Sequence, residues 1–116
     1  MPKQTKPRKL KRLFFDVETS PNIGLFWQSG YKLSIPPENI IKERALICIA
    51  WKLQGNKKVS CLSWDREQDD KVMLEKFIEV MHEADEIVTH NGNKFDIPWV
   101  RTRCLKHRIR MAPNFV

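Results

Sequence analysis

The segment LFFDVET, Leu13 to Thr19, constrains this chain more than any other. An apolar run of three residues passes directly into Asp16, Val17 and Glu18. In an extended strand, residues two apart point to the same face, so Asp16 and Glu18 would stand side by side. A strand buried on both faces should stay apolar or end in a turn. Two carboxylates that close repel, and one is pushed toward protonation unless positive charge sits between them. A divalent cation is the usual counterpart.

The rest of the chain supplies elements on which such a strand end can be mounted. Residues 1–10 read as a basic, disordered tail carrying two prolines, and residues 11–116 as one domain of modest size. Lys11–Val17 reads as the first strand. Thr19–Glu38 carries Ser-Pro, two glycines and Pro36-Pro37, so it reads mostly as loop, with a short strand near Leu25–Gln28. Ala45–Leu53 (ALICIAWKL) is a strong strand. Gln54–Lys57, with Gly55-Asn56, reads as a hairpin turn into a partner strand, Val59–Trp64. A helix follows over Asp70–Ala84, with Met73, Phe77, Val80, Met81 and Ala84 in one apolar stripe. Asp69 or Asp70 can cap it. Glu86–Thr89 reads as a short strand, His90–Asp96 as a turn, and Ile97–Arg108 as a second helix. That helix should turn Val100, Cys104 and Leu105 one way and its basic residues the other. The order strand, strand, strand, helix, strand, helix is α/β with a mixed sheet: three antiparallel strands, then a parallel one reached through a helix. Trp51 and Trp64 fall in strands and are expected in the core. Trp99 is expected to pack rather than to stack on a base.

Charge narrows the partners. The chain carries 21 Lys and Arg against 14 Asp and Glu, a net +7. That excess favours a polyanion, and nucleic acid is the commonest one. The basic residues crowd two blocks, Lys3 to Arg12 and Arg101 to Arg110, flanking the candidate metal site. Three cysteines without a CxxC pair give neither a disulfide framework nor a zinc site. The longest apolar run, Ala45–Trp51, is far too short to cross a bilayer. With no signal-peptide pattern, a soluble, intracellular (cytoplasmic) protein is expected, with no membrane partner.

A second acidic stretch stands at His90–Trp99, HNGNKFDIPW. Asn91-Gly92 could be a turn, and Asp96 could cap the second helix with Pro98 in its first turn. Alternatively Asp96, at a helix start beside a strand end, faces Asp16 and Glu18. Sites in open α/β sheets form beyond the carboxyl ends of strands.

Together the two stretches resemble the DEDD (DnaQ-like) 3′–5′ exonucleases of the ribonuclease H-like fold. The first motif of that family is an apolar strand ending in D-x-E-T, here FFDVET. The second is an H-N-x-x-x-F-D segment opening a helix, here HNGNKFDIP. The resemblance covers about Leu13–Val116. It implies that Asp16, Glu18 and Asp96 are catalytic and hold two Mg²⁺ or Mn²⁺ ions, with Asp16 bridging. It implies that Thr19 and Ser20 lie near the terminal nucleotide and that Asn91 and Phe95 shape the pocket. Carboxylate oxygens suit such hard cations.

The family also carries a third motif, a late helix with a His or Tyr and a fourth acid. None of His82, His90 or His107 sits in that pattern, and a fifth strand and the final helix are also absent from the 116 residues. The expectation is a ribonuclease H-like domain truncated before them, with the strand before His90 left as an uncovered edge. A metal-dependent 3′–5′ exonuclease, acting on DNA more readily than RNA, would then need a further segment or a second chain to supply the third motif. The alternatives are a non-catalytic nucleic-acid-binding module or inactive fragment, a ribonuclease H or resolvase relative, and a small α/β domain whose acids merely end a strand and cap a helix.

Overall fold

The computed structural model describes residues 10–28, 30 and 33–111. The expected tail at residues 1–9 and the segment 112–116 lie outside the described residues. The central strand is β1 (Arg12–Thr19). Its side chains alternate as the pleat requires: Leu13, Phe15 and Val17 are buried, while Phe14, Asp16 and Glu18 are exposed. A short β2 (Ile23–Gly24) pairs antiparallel with β3 (Ile40–Lys42) in a separate ribbon. This ribbon replaces the strand expected at Leu25–Gln28, where Leu25, Phe26 and Trp27 are exposed instead. Gly24 permits the close approach, since a Cβ there would stand 3.1 Å from the Asn39 carbonyl oxygen.

The main sheet continues with β4 (Leu46–Leu53) and β5 (Ser60–Ser63). Its order is β5-β4-β1 and then β6 (Glu86–Val88). β1 runs antiparallel to β4, from Leu13↔Leu53 to Glu18↔Cys48, and β4 antiparallel to β5. β6 runs parallel to β1 over Arg12↔Glu86 to Phe14↔Val88. This is the expected mixed sheet. Gly55, at φ +88°, makes the turn after β4, a conformation that costs glycine little. β5 is shorter than expected: Val59 is exposed, and Trp64 lies just past the strand, outside the core, under the Lys42 ammonium group. Among the described residues β6 lies at one edge of the sheet and β5 at the other.

The helices α1 (Lys71–Glu83) and α2 (Ile97–His107) pack into one core with the inward face of β1. The α1 stripe is Met73, Leu74, Phe77, Ile78 and Met81; Val80 and Ala84 lie at its margin. The Phe77 ring meets Phe15 edge-on at 5.0 Å and Trp51 at 5.7 Å. The inward stripe of α2 holds the expected Val100 and Cys104 but is only partly apolar. It runs through Asp96, Val100, Arg103, Cys104 and His107, spaced three and four apart. Leu105, expected on the core side, is 73% exposed, whereas Arg103 is buried. The other face of the sheet carries Phe14, Asp16, Glu18, Lys52 and Val88, all exposed among the described residues.

Candidate active site

Asp16 and Glu18 project from the open face at the C-terminal end of β1. The pairing with β4 shifts between Glu18 and Thr19, so a bulge falls directly after the two acids. Such irregularities bend a strand and re-aim its side chains. Glu18 Oε2 accepts a weak bond from the Cys48 thiol, at 3.7 Å. Burial, and then the charges of Glu18 and Asp16 among its neighbours, push the Cys48 thiol above its ordinary range. It therefore remains a protonated donor.

Asp96 arrives from the other motif, 79 residues away. It does not cap α2. Its backbone is helical and its carboxylate makes no capping bond. The chain enters α2 through a wide turn, Gly92–Asp96, in which the Asn91 carbonyl accepts the N–H groups of Lys94, Phe95 and Asp96 at 3.2, 2.8 and 3.4 Å. Pro98 offers no N–H to the Lys94 carbonyl, so a regular ladder cannot run unbroken into α2. Wide turns of this kind recur at functional sites. Here the turn sends the Asp96 side chain across to β1, where Oδ1 accepts the Val17 N–H at 3.3 Å. β6 has left β1 at Phe14, so Asp96 takes up the strand edge beyond the end of that pairing.

The result sets the three predicted acids around one strand end, but their carboxylates do not all come within 4.8 Å of one another; among the described residues only Asp69, Asp70 and His107 form such a group. The Asp96 carboxylate is fastened to the backbone of the residue between Asp16 and Glu18. It is 2% exposed. Burial pushes its pKa up, the Asp16 charge pushes it further, and the Val17 hydrogen bond opposes them without prevailing. Among the described residues, none of the three acids forms an ion pair with Lys or Arg. An all-oxygen donor set with uncompensated negative charge suits a hard divalent cation.

The other predicted residues divide. Thr19 Oγ1 accepts a bond from Arg44 Nε at 2.8 Å, and the Phe95 ring lies 5.5 Å from the same guanidinium. The Asn91 side chain is exposed at the start of the wide turn. Ser20 is buried; its hydroxyl donates to the Ala45 carbonyl at 3.3 Å and accepts the Ala45 N–H at 3.0 Å. It is thus tied to β4's entry and turned away from solvent. His90, exposed, lines the open cavity that Asp16 also lines, with Phe14, Ala50, Lys52 and Val88. His82 is exposed on α1. Arg44 sits in a short loop before β4, outside both acidic motifs and both basic blocks, so no local pattern marks it. Trp99 is half-buried and packs, as expected, with the Arg44 guanidinium 4.5 Å over its ring.

A second polar cluster lies elsewhere. Asp69, Asp70 and His107 bring ligand atoms within 4.8 Å of one another. Of the two residues expected to cap α1, Asp70 is fully buried and makes no capping bond, while Asp69 accepts the Lys71 N–H at 3.0 Å. Asp70 accepts from Arg103 Nε at 2.7 Å and Nη2 at 3.1 Å, and from the Leu46 N–H at 2.9 Å, and meets His107 Nε2 at 2.5 Å. Burial alone would raise its pKa, but Arg103, the Leu46 N–H and His107 outweigh burial and hold it below the usual range. With a guanidinium already in place, this cluster is a structural clasp rather than a cation site.

A family model described as "Predicted 3'-5' exonuclease related to the exonuclease domain of PolB" matches residues 37–116, a span that includes Asp96 and starts after Asp16 and Glu18. The DNA polymerase of Thermococcus kodakarensis is 32% identical over 106 residues, 90% of this chain and 6% of its own length. The DNA polymerase of Pyrococcus glycovorans is 31% identical over 89% of this chain and 12% of its own length. The family B DNA polymerase of the hyperthermophilic archaeon Pyrobaculum calidifontis shares the fold, with a TM-score of 0.62 and 22% identity over 97% of this chain and 13% of that one. The chain thus spans only a small part of each of these relatives. No helix among the described residues is long and apolar enough to cross a membrane. The chain belongs to the family described as predicted 3′–5′ exonucleases related to the exonuclease domain of PolB.

Proposed function

We propose that this chain carries the first three acids of a metal-dependent 3′–5′ exonuclease site, which hydrolyses the terminal phosphodiester of a nucleic acid strand, DNA in preference to RNA. One observation carries the reading: buried Asp96 is bonded to Val17 between Asp16 and Glu18, and Asp16 bears on its ionisation. Nothing in a capping role for Asp96 accounts for that bond.

In this reading Asp16, Glu18 and Asp96 would hold Mg²⁺ or Mn²⁺. Bound there, such ions supply a nucleophile from water at neutral pH and neutralise charge on the leaving 3′ oxygen. The chain's own residues fix the donors beforehand. The β1 pleat aims Asp16 and Glu18 to one face, and the Val17 N–H holds the Asp96 carboxylate in one orientation. Thr19, Asn91 and Phe95 border the site and would contact the terminal nucleotide, as would the Ser20 backbone segment.

The test is a nuclease assay with Mn²⁺ on single strands labelled at the 3′ or the 5′ end. It compares the wild type with the double variant Asp16→Ala, Glu18→Ala. Stepwise shortening from the 3′ end that the double variant abolishes is the expected result. Shortening that survives the double variant refutes the assignment of these acids. No shortening, with salt-sensitive strand binding intact, favours the non-catalytic binding module.

A further inference from the structure

We propose that Arg44 forms a phosphate subsite for the bound strand, separate from the phosphate undergoing hydrolysis. The inference rests on the nucleic-acid reading above and extends it to a residue outside both acidic motifs.

Arg44 is held on every side except that of its two terminal nitrogens. Its backbone N–H donates to Asn22 Oδ1 at 2.6 Å. The next residue, Ala45, is bonded to Ser20 by its N–H and its carbonyl. These bonds fasten the loop to the segment that follows β1. The side chain is fixed as well. Nε donates to Thr19 Oγ1 at 2.8 Å, and the guanidinium lies over Trp99 at 4.5 Å and Phe95 at 5.5 Å. Two of these three neighbours adjoin the acids: Thr19 follows Glu18, and Phe95 precedes Asp96.

No carboxylate balances this cation among the described residues. The adjacent acid, Glu43, is spent on Arg103 and Lys106. An arginine on the surface of a protein can stand unpaired without consequence. A half-buried one, stacked on two rings and bonded through Nε, has given up rotamer freedom and part of its hydration. What remains uncommitted is the pair Nη1 and Nη2, a planar fork whose geometry matches two oxygens of one phosphate. The position also answers an electrostatic need. An anionic strand approaching three acids is repelled, and a fixed cation at the rim lowers that cost for one backbone phosphate. The ligand is a phosphodiester, because the groups Arg44 leaves free are its two terminal nitrogens.

The test measures strand binding without cleavage. Fluorescence anisotropy of a 5′-labelled single-stranded oligothymidylate is followed with chelator present, across sodium chloride from 50 to 200 mM. The proteins are the wild type, Arg44→Gln, Arg44→Lys, and Lys76→Gln as a charge-matched control on exposed α1 surface. Loss of one phosphate contact flattens the slope of log affinity against log salt by about 0.7 for a single strand. Arg44→Gln is expected to show that flattening and roughly tenfold weaker binding. Arg44→Lys should keep the slope and lose part of the affinity, because an ammonium cannot replace a fork. Lys76→Gln should change neither. If Arg44→Gln melts early, the Arg44→Lys comparison decides alone, and unchanged affinity overturns the subsite. A slope in Arg44→Gln equal to that of the wild type or of Lys76→Gln overturns it while leaving the parent reading standing. A wild type that binds no strand at any salt overturns both.

Discussion

The clasp around Asp70 offers the most quantitative test of how the site is held. Asp70 is fully buried and the Arg103 side chain is 8% exposed. Asp70→Ala would leave the guanidinium buried with Glu43 as its remaining partner, at 2.9 Å and itself 46% exposed. Removing one member of a buried ion pair costs about 3–5 kcal/mol. The Leu46 N–H also loses its acceptor, worth about 1–3 kcal/mol. The two losses share one site and do not simply add, so the expected cost is about 4–6 kcal/mol. Against a typical domain stability of about 5–15 kcal/mol this is severe. At roughly 4 °C per kcal/mol for a chain of this size, the midpoint should fall by about 15–25 °C.

The assay is urea denaturation followed by tryptophan fluorescence, run as a double-mutant cycle. Arg103→Met alone should cost about 3–5 kcal/mol, because it strands the Asp70 carboxylate. The double variant Asp70→Ala, Arg103→Met removes both charges and should recover most of the loss. It should retain about 1–3 kcal/mol for the Leu46 N–H. Asp70's pKa is lowered in the folded protein. Its contribution is therefore present above the unfolded value, near pH 3.9, and is lost as pH falls through the folded one. An Asp70→Ala cost below about 1 kcal/mol, or a double variant as damaged as the sum of the singles, would refute the buried-pair account.

Two further perturbations act on other parts of the frame. Asp96 carries a raised pKa, so its contribution is full below the unfolded value and is lost as pH rises through the folded one. Asp96→Asn should accordingly melt higher than the wild type at pH 7 in chelator, by about 0.5–2 kcal/mol, and the gain should vanish near pH 4; calorimetry at the two values checks this, and a gain independent of pH contradicts it. Phe77→Ala empties the space between Phe15 and Trp51 and should cost about 3–5 kcal/mol in urea midpoint measurements. A cost under about 1 kcal/mol would mean that the core collapses around the gap.

Much of this was legible from spacing alone. The period-two alternation of β1 placed Asp16 and Glu18 on one face, and the long ALICIAWKL run announced β4. The misses share a cause. Residues 25–28 are apolar enough to read as a strand, but Phe26 and Trp27 find no layer to bury against and remain exposed. In α2 the apolar spacing points to Val100, Cys104 and Leu105, whereas the inward stripe also holds Asp96, Arg103 and His107, which enter the interior only because each finds a partner there. Periodicity reports hydrophobicity, and cannot register a polar residue buried by virtue of a distant bond. Arg44 is hidden for the same reason, since its partners Thr19, Phe95 and Trp99 lie 25 to 55 positions away in the sequence.

Asp70 and Asp96 show why such residues must be told apart by their partners. Both stand immediately before a helix, both read as caps, and both are buried without capping anything. Asp70 meets a guanidinium, a backbone N–H and an imidazole, and its ionised form is favoured. Asp96 meets one backbone N–H and the field of another acid, and its ionised form is disfavoured. A fold has no use for the second arrangement: a neutral Asn would satisfy the Val17 N–H at lower cost. An acid kept where the protein alone does not stabilise its charge marks a place where stability is commonly given up for function. The clasp then acquires its purpose. By tying α2 to the start of β4 and to the head of α1, Asp70 and Arg103 hold the helix whose first residues carry Asp96 to β1 against the repulsion of Asp16.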